Sequence, residues 1–600
     1  MLKSFTNFVK LFSVLLDIRF FVLYNPTNKT LQRGIFMNTI FNINDYLHLF
    51  DGNDCTPAVI AALNDAKREG GTVIFEKGEY HFYEKHTEKR LCAPYGSITV
   101  KNIAFPLFDT ENIIIDGAGS DFIFHGLVSP FAIERSKNIV LKNFTVSYER
   151  PFHTEGLIVN ANEEEKWFDC EIDREAFPIH TENGRLDAYT PYYTFESPYH
   201  LLTEYDATLR EPAHNARYYA LKREKVEDIE NYTDNGYTGN FWIEELDEKT
   251  IRVYMPNKKM PRVGNVMTFL NDGRPCVGVF FENCENITLN NIDFFDSGAM
   301  VVVGQLSKDT TLDGVRIRLR KETEKGYDPK RVVSCSADAT HFVCCMGKLE
   351  IKNCVFENML DDGTNIHGMY SKITERLGKN VLAARTECNH KQFLRVGDTV
   401  SFQKLTSYEE VMRAVVVDIT ERPDKNDRLI TFDRELIDSI DTNYFIDNIT
   451  AVLSETHIHH VVTGNNRPRG FLVATKGKVI IEDCIFHNSS SGIHMQPFGM
   501  EYLESQPAED VTIRRCHFVN CGYSDNCAAI SITPRVENSK APVHKNVSIY
   551  DCTFDSFGAP AIESNNTQNL QIYGNTYNKT NTYPEIFPRE NIILRDCNLE

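Results

Sequence analysis

The chain of 600 residues carries 42% hydrophobic and 25% charged residues and a formal net charge of -20. Its composition lies near the globular average, which excludes wholesale disorder, and its length exceeds what one ordinary core accommodates. A surface this acidic repels nucleic acid, anionic membranes and polyuronates, so a neutral partner is expected.

Residues 1–36 place Lys3 and Lys10 before an apolar run, Leu11 to Leu16, which Asp17 and Arg19 interrupt. No small-residue cleavage site follows, so two readings stand: a degraded export signal, or sequence upstream of a start at Met37. Location is left open, with periplasmic or secreted favoured over cytoplasmic. No later stretch is long and apolar enough to span a bilayer.

Residues 37–165 read as a cap and first coils. Thr56 suits a helix cap with Pro57 at the first helical position, and Val59, Ala62, Leu63 and Ala66 fall on one face. Gly70-Gly71 stops that helix, and a strand Thr72 to Phe75 and a turn at Lys77-Gly78 follow. Such a helix covers the open end of a stack of coils.

One motif then recurs: a polar residue, alternating aliphatics, Asn or Asp, a small residue or Cys, and Phe. It reads Asn138-Ile-Val-Leu-Lys-Asn-Phe-Thr-Val, Asn286-Ile-Thr-Leu-Asn-Asn-Ile-Asp-Phe and Lys348-Leu-Glu-Ile-Lys-Asn-Cys-Val-Phe. It returns at Lys478, Asp510 and Asn546, with a decayed copy at Asn569 and a weaker early one at Asn112. Alternation gives short strands with one face buried, and the Asn/Asp-Cys step marks a bend. The repeat length suits one coil of a parallel solenoid, so an all-β, right-handed parallel β-helix is expected. Cys354, Cys484, Cys516 and Cys552 recur at one repeat position and read as small buried core residues rather than disulfides.

Two stretches, 166–276 and 371–454, interrupt the repeat and read as small β-barrel modules inserted between solenoid segments 37–165, 277–370 and 455–600. Val263-Gly-Asn-Val-Met-Thr-Phe and Val396-Gly-Asp-Thr-Val-Ser-Phe relate the two inserts. Trp167, Trp242 and the aromatic stretch Tyr189 to Tyr199 lie in the first, where core packing is expected over sugar stacking.

The chemistry concentrates between Arg331 and Gly368. Ser-Ala-Asp338 precedes Asp361-Asp362-Gly-Thr-Asn365-Ile-His367 by about one coil, so Asp338, Asp361 and Asp362 can reach one face. The equivalent later coil keeps the Asn and Ile-His but has no aspartates at these places. Scaffold residues persist between coils, whereas chemistry is needed once. Clustered carboxylates push at least one pKa upward, which keeps an acid protonated near neutrality. Adjacent coils with some lateral offset suit the carboxyl separation of inverting glycosidases, about 6.5–9.5 Å. His341, Asn365, His367, Arg469, His494 and Glu563 are candidate substrate contacts, with His367, His494, Ser531 and Glu563 expected as a polar ladder along the same edge. No spacing compels a metal, and no cofactor is expected.

The cap, the two interrupting modules and the Ser-Ala-Asp338 … Asp361-Asp362-Gly-Thr-Asn arrangement resemble glycoside hydrolase family 110, the α-1,3-galactosidases. The resemblance runs from about Met37 over nearly the whole chain. It implies metal-independent, inverting removal of terminal α-1,3-linked galactose from blood-group-B-like or linear Gal-α-1,3-Gal glycans. It also implies Asp338 as general acid and Asp361 or Asp362 as base. The partner is then an oligosaccharide or glycoprotein glycan, with no nucleic acid or membrane, and self-association is left open. Rival readings are a pectate-lyase-like enzyme using Arg467 or Arg469, and a non-catalytic glycan-binding solenoid.

Overall fold

The computed structural model describes residues 39–598 apart from 196–198, 216–217, 223–240, 257, 272, 387–392, 500, 525–526, 535–541 and 585–589. The readings of the N-terminal extension and of Met37 therefore lie outside the described residues.

From Thr39 onward the described chain is almost entirely β, wound into parallel coils. A representative coil lays Phe471–Ala474 in one sheet, then Lys478–Glu482 and Ile485–His487 in a second, before Ile493–Met495 returns to the first. The repeat copies stack as their sequences align: Lys478 lies opposite Asp510, Val511 opposite Val547, and Val547 opposite Leu570.

The repeat's residue preferences have visible causes. The Asn or Asp at the bend takes a left-handed backbone, with φ of 61° at Asn143, 53° at Asn291, 54° at Asn353 and 54° at Asp483. Asn and Asp tolerate that region better than other side chains with a Cβ. The leading Asn is left-handed too, and its amide bonds the rung before: Asn138 Nδ2 donates to Asn112 Oδ1 and Asn286 Nδ2 to Asn138 Oδ1, each at 2.8 Å. The following Cys turns inward, so Cys354, Cys484, Cys516 and Cys552 are all buried thiols. The final Phe stacks between rungs, with Phe486, Phe518 and Phe554 nearly parallel at 4.7 and 4.8 Å.

The capping helix runs Thr56–Glu69 and buries Val59, Ala62, Leu63 and Ala66. Its cap differs from the expectation. Cys55 occupies the cap position, Thr56 is already helical, and the Asp54 carboxylate accepts from Thr56 N at 2.9 Å. A carboxylate serves a helix N-terminus better than a hydroxyl because it also meets the dipole.

Two antiparallel regions interrupt the parallel coils. The first begins at His153–Asn162, whose strand already pairs antiparallel with Trp167–Ile172 and Val266–Asn271. Eight strands form its main antiparallel sheet, with no closure among the described pairings. The second is a closed six-stranded barrel whose first strand is the far half of Thr364–Arg376. One strand thus belongs to a solenoid rung and then to the barrel.

The inserts share a local device at their related segments. Gly264 and Gly397 have φ of 93° and 96°, and each donates its N–H to a neighbouring strand, at Ile158 O and Val416 O, both 2.8 Å. Core packing of the tryptophans does not hold for Trp242, which is 47% exposed and lies over Gly184. Trp167, Tyr254 and Trp242 are cross-strand neighbours on one face of the first sheet, and the Arg252 guanidinium covers the Trp167 ring at 3.6 Å.

Candidate active site

The strands Thr340–Val343, Thr364–Arg376 and Phe471–Ala474 are consecutive parallel rungs, with Thr340 opposite Thr364 and Thr364 opposite Phe471. Two residues before each sit Asp338, Asp362 and Arg469, one above another at a rung spacing of about 4.8 Å. Backbone bonds continue the ladder into this bend: Ala339 N donates to Asp362 O at 2.9 Å and Gly363 N to Arg469 O at 3.0 Å. Gly363 has an ordinary backbone. It is glycine because a Cβ there would stand 2.6 Å from Gly470 O and 2.7 Å from Thr463 Oγ1.

The three aspartates have different surroundings. Asp362 is 1% exposed and chelated by Arg469, whose Nε and Nη2 each donate to it at 2.8 Å. Burial outweighs that arginine and pushes its pKa up to about 7, with Asp361 and Asp338 adding to the rise. Asp338 is 3% exposed, and burial first, then the charge of Asp361, holds its carboxyl well above the usual range. Asp361 keeps 22% of its side chain accessible, with Arg274 and Arg467 guanidinium nitrogens 3.7 and 3.8 Å from its two oxygens.

Asp361 lines a cleft of about 440 Å³, open mouth included, bounded by Arg274, Gly298, Ser336, Leu360 and Arg467. Leu201, Thr203 and Leu270 of the first insert line it as well. That insert also fixes the bend carrying Asp338. Glu155 accepts from the backbone N–H groups of Val332 and Val333 at 3.0 Å each, and Asn358 Nδ2 donates to Val332 O at 2.9 Å.

Of the remaining predicted residues, His341 and His367 are buried beside Asp338. His341 Nδ1 is 2.6 Å from Asp338 Oδ2, and its Nε2 is 2.8 Å from His367 Nε2. Burial lowers both imidazoles to about 4. Asn365 lies opposite His341, and its Oδ1 is buried without a hydrogen-bond partner.

The expected ladder needs correction at His367. The register puts Asn365, Leu472, His494, Ser531 and Glu563 in one row, while His367 pairs with Ala474, two residues along. The two Ile-His pairs sit at different places on their strands, four residues after Gly363 for His367 and two after the in-register Gly492 for His494. Glu563, four rungs from Asn365 and so about 19 Å away, bonds Arg595 at 2.7 Å. The sequence reading missed Tyr95, Arg274 and Glu504, which reach this region from distant segments and carry no local motif.

Among the described residues, two groups bring three ligand-type atoms within 4.8 Å: His341, His367 and Glu504, and the half-buried Glu350, His457 and His459. In the first, the two facing ring nitrogens are engaged with each other. In the second, His457 is bonded to Glu482 at 2.9 Å and Glu350 to Lys352 at 2.7 Å.

Residues 154–267 match the family model described as GLAA-B beta-barrel domain I. The chain is 32% identical over 543 residues to "Alpha-1,3-galactosidase A" of Shewanella woodyi, covering 89% of this chain and 85% of that one. It is 29% identical over 576 residues to "Alpha-1,3-galactosidase B" of Bacteroides thetaiotaomicron, covering 91% and 87%. Among solved structures, the A-module of an Azotobacter vinelandii mannuronan C-5 epimerase matches with a TM-score of 0.35 and 11% identity, over 92% of this chain and 100% of that one.

Proposed function

The chain belongs to the α-1,3-galactosidases of glycoside hydrolase family 110, and on that premise we propose that it removes terminal α-1,3-linked galactose with inversion at the anomeric carbon. Blood-group-B-like branched glycans and linear Gal-α-1,3-Gal ends are the proposed substrates. The stacking of Asp338, Asp362 and Arg469 beside a cleft that presents Asp361 carries this reading.

In this mechanism Asp338 is the general acid. Its raised pKa favours the neutral carboxyl that must protonate the departing oxygen. Asp361 is the base that takes a proton from the attacking water. Asp338 and Asp362 are direct neighbours on adjacent rungs, whereas inverting enzymes hold their carboxyls about 6.5–9.5 Å apart. Asp361, one residue along and open to the cleft, is the carboxylate assigned to the water. Asp362, gripped by Arg469, then sets the local charge and holds the bend. Arg274 and Arg467 stand beside Asp361 and offer donors to sugar hydroxyls.

Hydrolysis of Gal-α-1,3-Gal followed by proton NMR tests the reading. β-Galactose is expected as the first-formed anomer. Release of the α-anomer means a retaining geometry and removes the assignment of Asp361.

A further inference from the structure

The segment Thr456-His457-Ile458-His459-His460 has no part in the proposed reaction. It ends the strand Leu453–His459 in the second sheet of the solenoid, where Thr456 and Ile458 are fully buried. Strand alternation then puts His457 and His459 together on the outer face. Their ring centroids lie 4.3 Å apart. The rung before, Met346–Lys352, sets Glu350 directly opposite His457. One ligand-type atom from each of Glu350, His457 and His459 falls within 4.8 Å of the other two.

The surroundings fix these side chains and leave their electron pairs available. Glu482 Oε1 lies 2.9 Å from His457 Nε2, and Arg514 and Arg515 hold the other oxygen of that carboxylate at 2.6 and 2.7 Å. A carboxylate so held accepts from His457 Nε2, and the lone pair of a neutral His457 is then on Nδ1. His459 Nδ1 lies 2.9 Å from His460 Nδ1, and a hydrogen donated there leaves the His459 lone pair on Nε2. That nitrogen stands 3.7 Å from Glu350 Oε1. The gap is too long for a hydrogen bond and close to the roughly 3.4 Å between two donors on one tetrahedral zinc. Burial first, then the neighbouring His457 and His460, lowers the basicity of His459, so its ring is available as a neutral ligand.

We propose that Glu350, His457 and His459 form a zinc site on the outer face of the solenoid, with water in the fourth position, and that the ion staples two rungs together. Two imidazoles and a carboxylate suit zinc, whereas calcium and magnesium take shells of oxygen. Glu482 and His460 are the outer partners that orient the two rings. The ion displaces Lys352, whose bond to Glu350 Oε2 at 2.7 Å joins two partly exposed side chains and contributes little. Between Glu350 and His457 the chain runs out through the whole second insert, so the ion closes that long excursion where it returns to the solenoid. The clustered aspartates precede strands of the other sheet, which gives the site a structural role apart from the reaction.

The test uses the full chain, stripped with EDTA and dialysed, then titrated with zinc chloride in a calorimeter and with cobalt chloride in a spectrophotometer. One zinc per chain is expected, together with the intense visible absorption of four-coordinate cobalt. The melting temperature should rise by about 2 °C once zinc exceeds its dissociation constant about 100-fold. Glu350→Gln and His459→Gln each weaken zinc about 100-fold or more and abolish the cobalt absorption, because one of three ligands is gone. Glu482→Gln weakens it about tenfold through the outer partner. Lys352→Ala tightens it by removing the competitor for Glu350. Turnover of Gal-α-1,3-Gal is unchanged in all four variants and after EDTA. A parent chain that binds no zinc, or undiminished binding in Glu350→Gln and His459→Gln, overturns the site. Loss of turnover with EDTA overturns its structural role. The galactosidase reading is judged separately: a chain that holds one zinc at these residues yet leaves the disaccharide intact keeps the site and loses the reaction.

Discussion

Two bends of the solenoid occupy the same place on different coils and differ in chemistry. Asn358-Met-Leu-Asp361-Asp362-Gly363 leads into the rung at Thr364, and Asn488-Ser-Ser-Ser491-Gly492 leads into the rung at Ile493. Asn358 and Asn488 are both buried and bond backbone or side-chain oxygens of neighbouring segments. Gly363 and Gly492 both sit where a Cβ would strike the next layer, a backbone oxygen at 2.6 Å in one case and Phe518 at 2.9 Å in the other. The frame is therefore common. Where the first bend has Asp362 stacked between Asp338 and Arg469, the second has the buried Ser491. The first bend is also one residue longer, and the extra length presents Asp361 to the cleft.

The largest effect expected from this contrast is at Asp361. Asp361→Asn removes the proposed base and should lower kcat on Gal-α-1,3-Gal about 100-fold or more, whereas Ser490→Ala in the plain bend leaves it within about twofold. Steady-state kinetics on both purified variants decides the matter. Comparable losses would mean that the bends serve packing alone.

The next effect is on stability. Arg469→Met leaves Asp362 buried without its partner, a loss that typically costs about 3–5 kcal/mol. The folded-state pKa of Asp362 is raised from 3.8 to about 7, so its contribution to stability is complete below 3.8 and lost as pH rises through 7. Removing Arg469 raises that pKa further. The melting temperature of Arg469→Met is therefore expected to lie closest to the parent near pH 5 and furthest below it near pH 8. A deficit independent of pH would mean that Arg469 acts through packing.

The smallest effects are expected furthest along the row. His494→Ala, one rung beyond Leu472, should change KM for the disaccharide by about threefold or less, and Glu563→Gln not measurably, because a terminal galactose spans about one or two rungs. A large KM effect at Glu563 would extend the binding surface toward the C-terminal coils.

Much of this was legible in the residues. The left-handed Asn or Asp, the inward Cys and the stacked Phe are local requirements of each coil, so they repeat and can be aligned. The gathering of Asp338 with Asp361 and Asp362 followed from the same period. His367 does not join the ladder because Ile-His falls two residues further along the strand after Gly363 than after the in-register Gly492, and a shift of two leaves the face of a strand unchanged and so leaves no trace in its pattern. Trp242 reads as core in the sequence yet is exposed, because hydrophobic character alone does not tell the outer face of an inserted sheet from its inner one.

The sequence by itself determined the solenoid, its two interruptions and the coil that bears the aspartates, since each depends on residues near in number or spaced by one turn. Only the tertiary structure decided how three like carboxyls are made unlike: one chelated by Arg469, one bonded to a buried histidine pair, one left open to a cleft. Those differences come from desolvation and from partners such as Arg274, Glu504 and Tyr95, brought in by segments more than sixty positions away, and no periodicity encodes them.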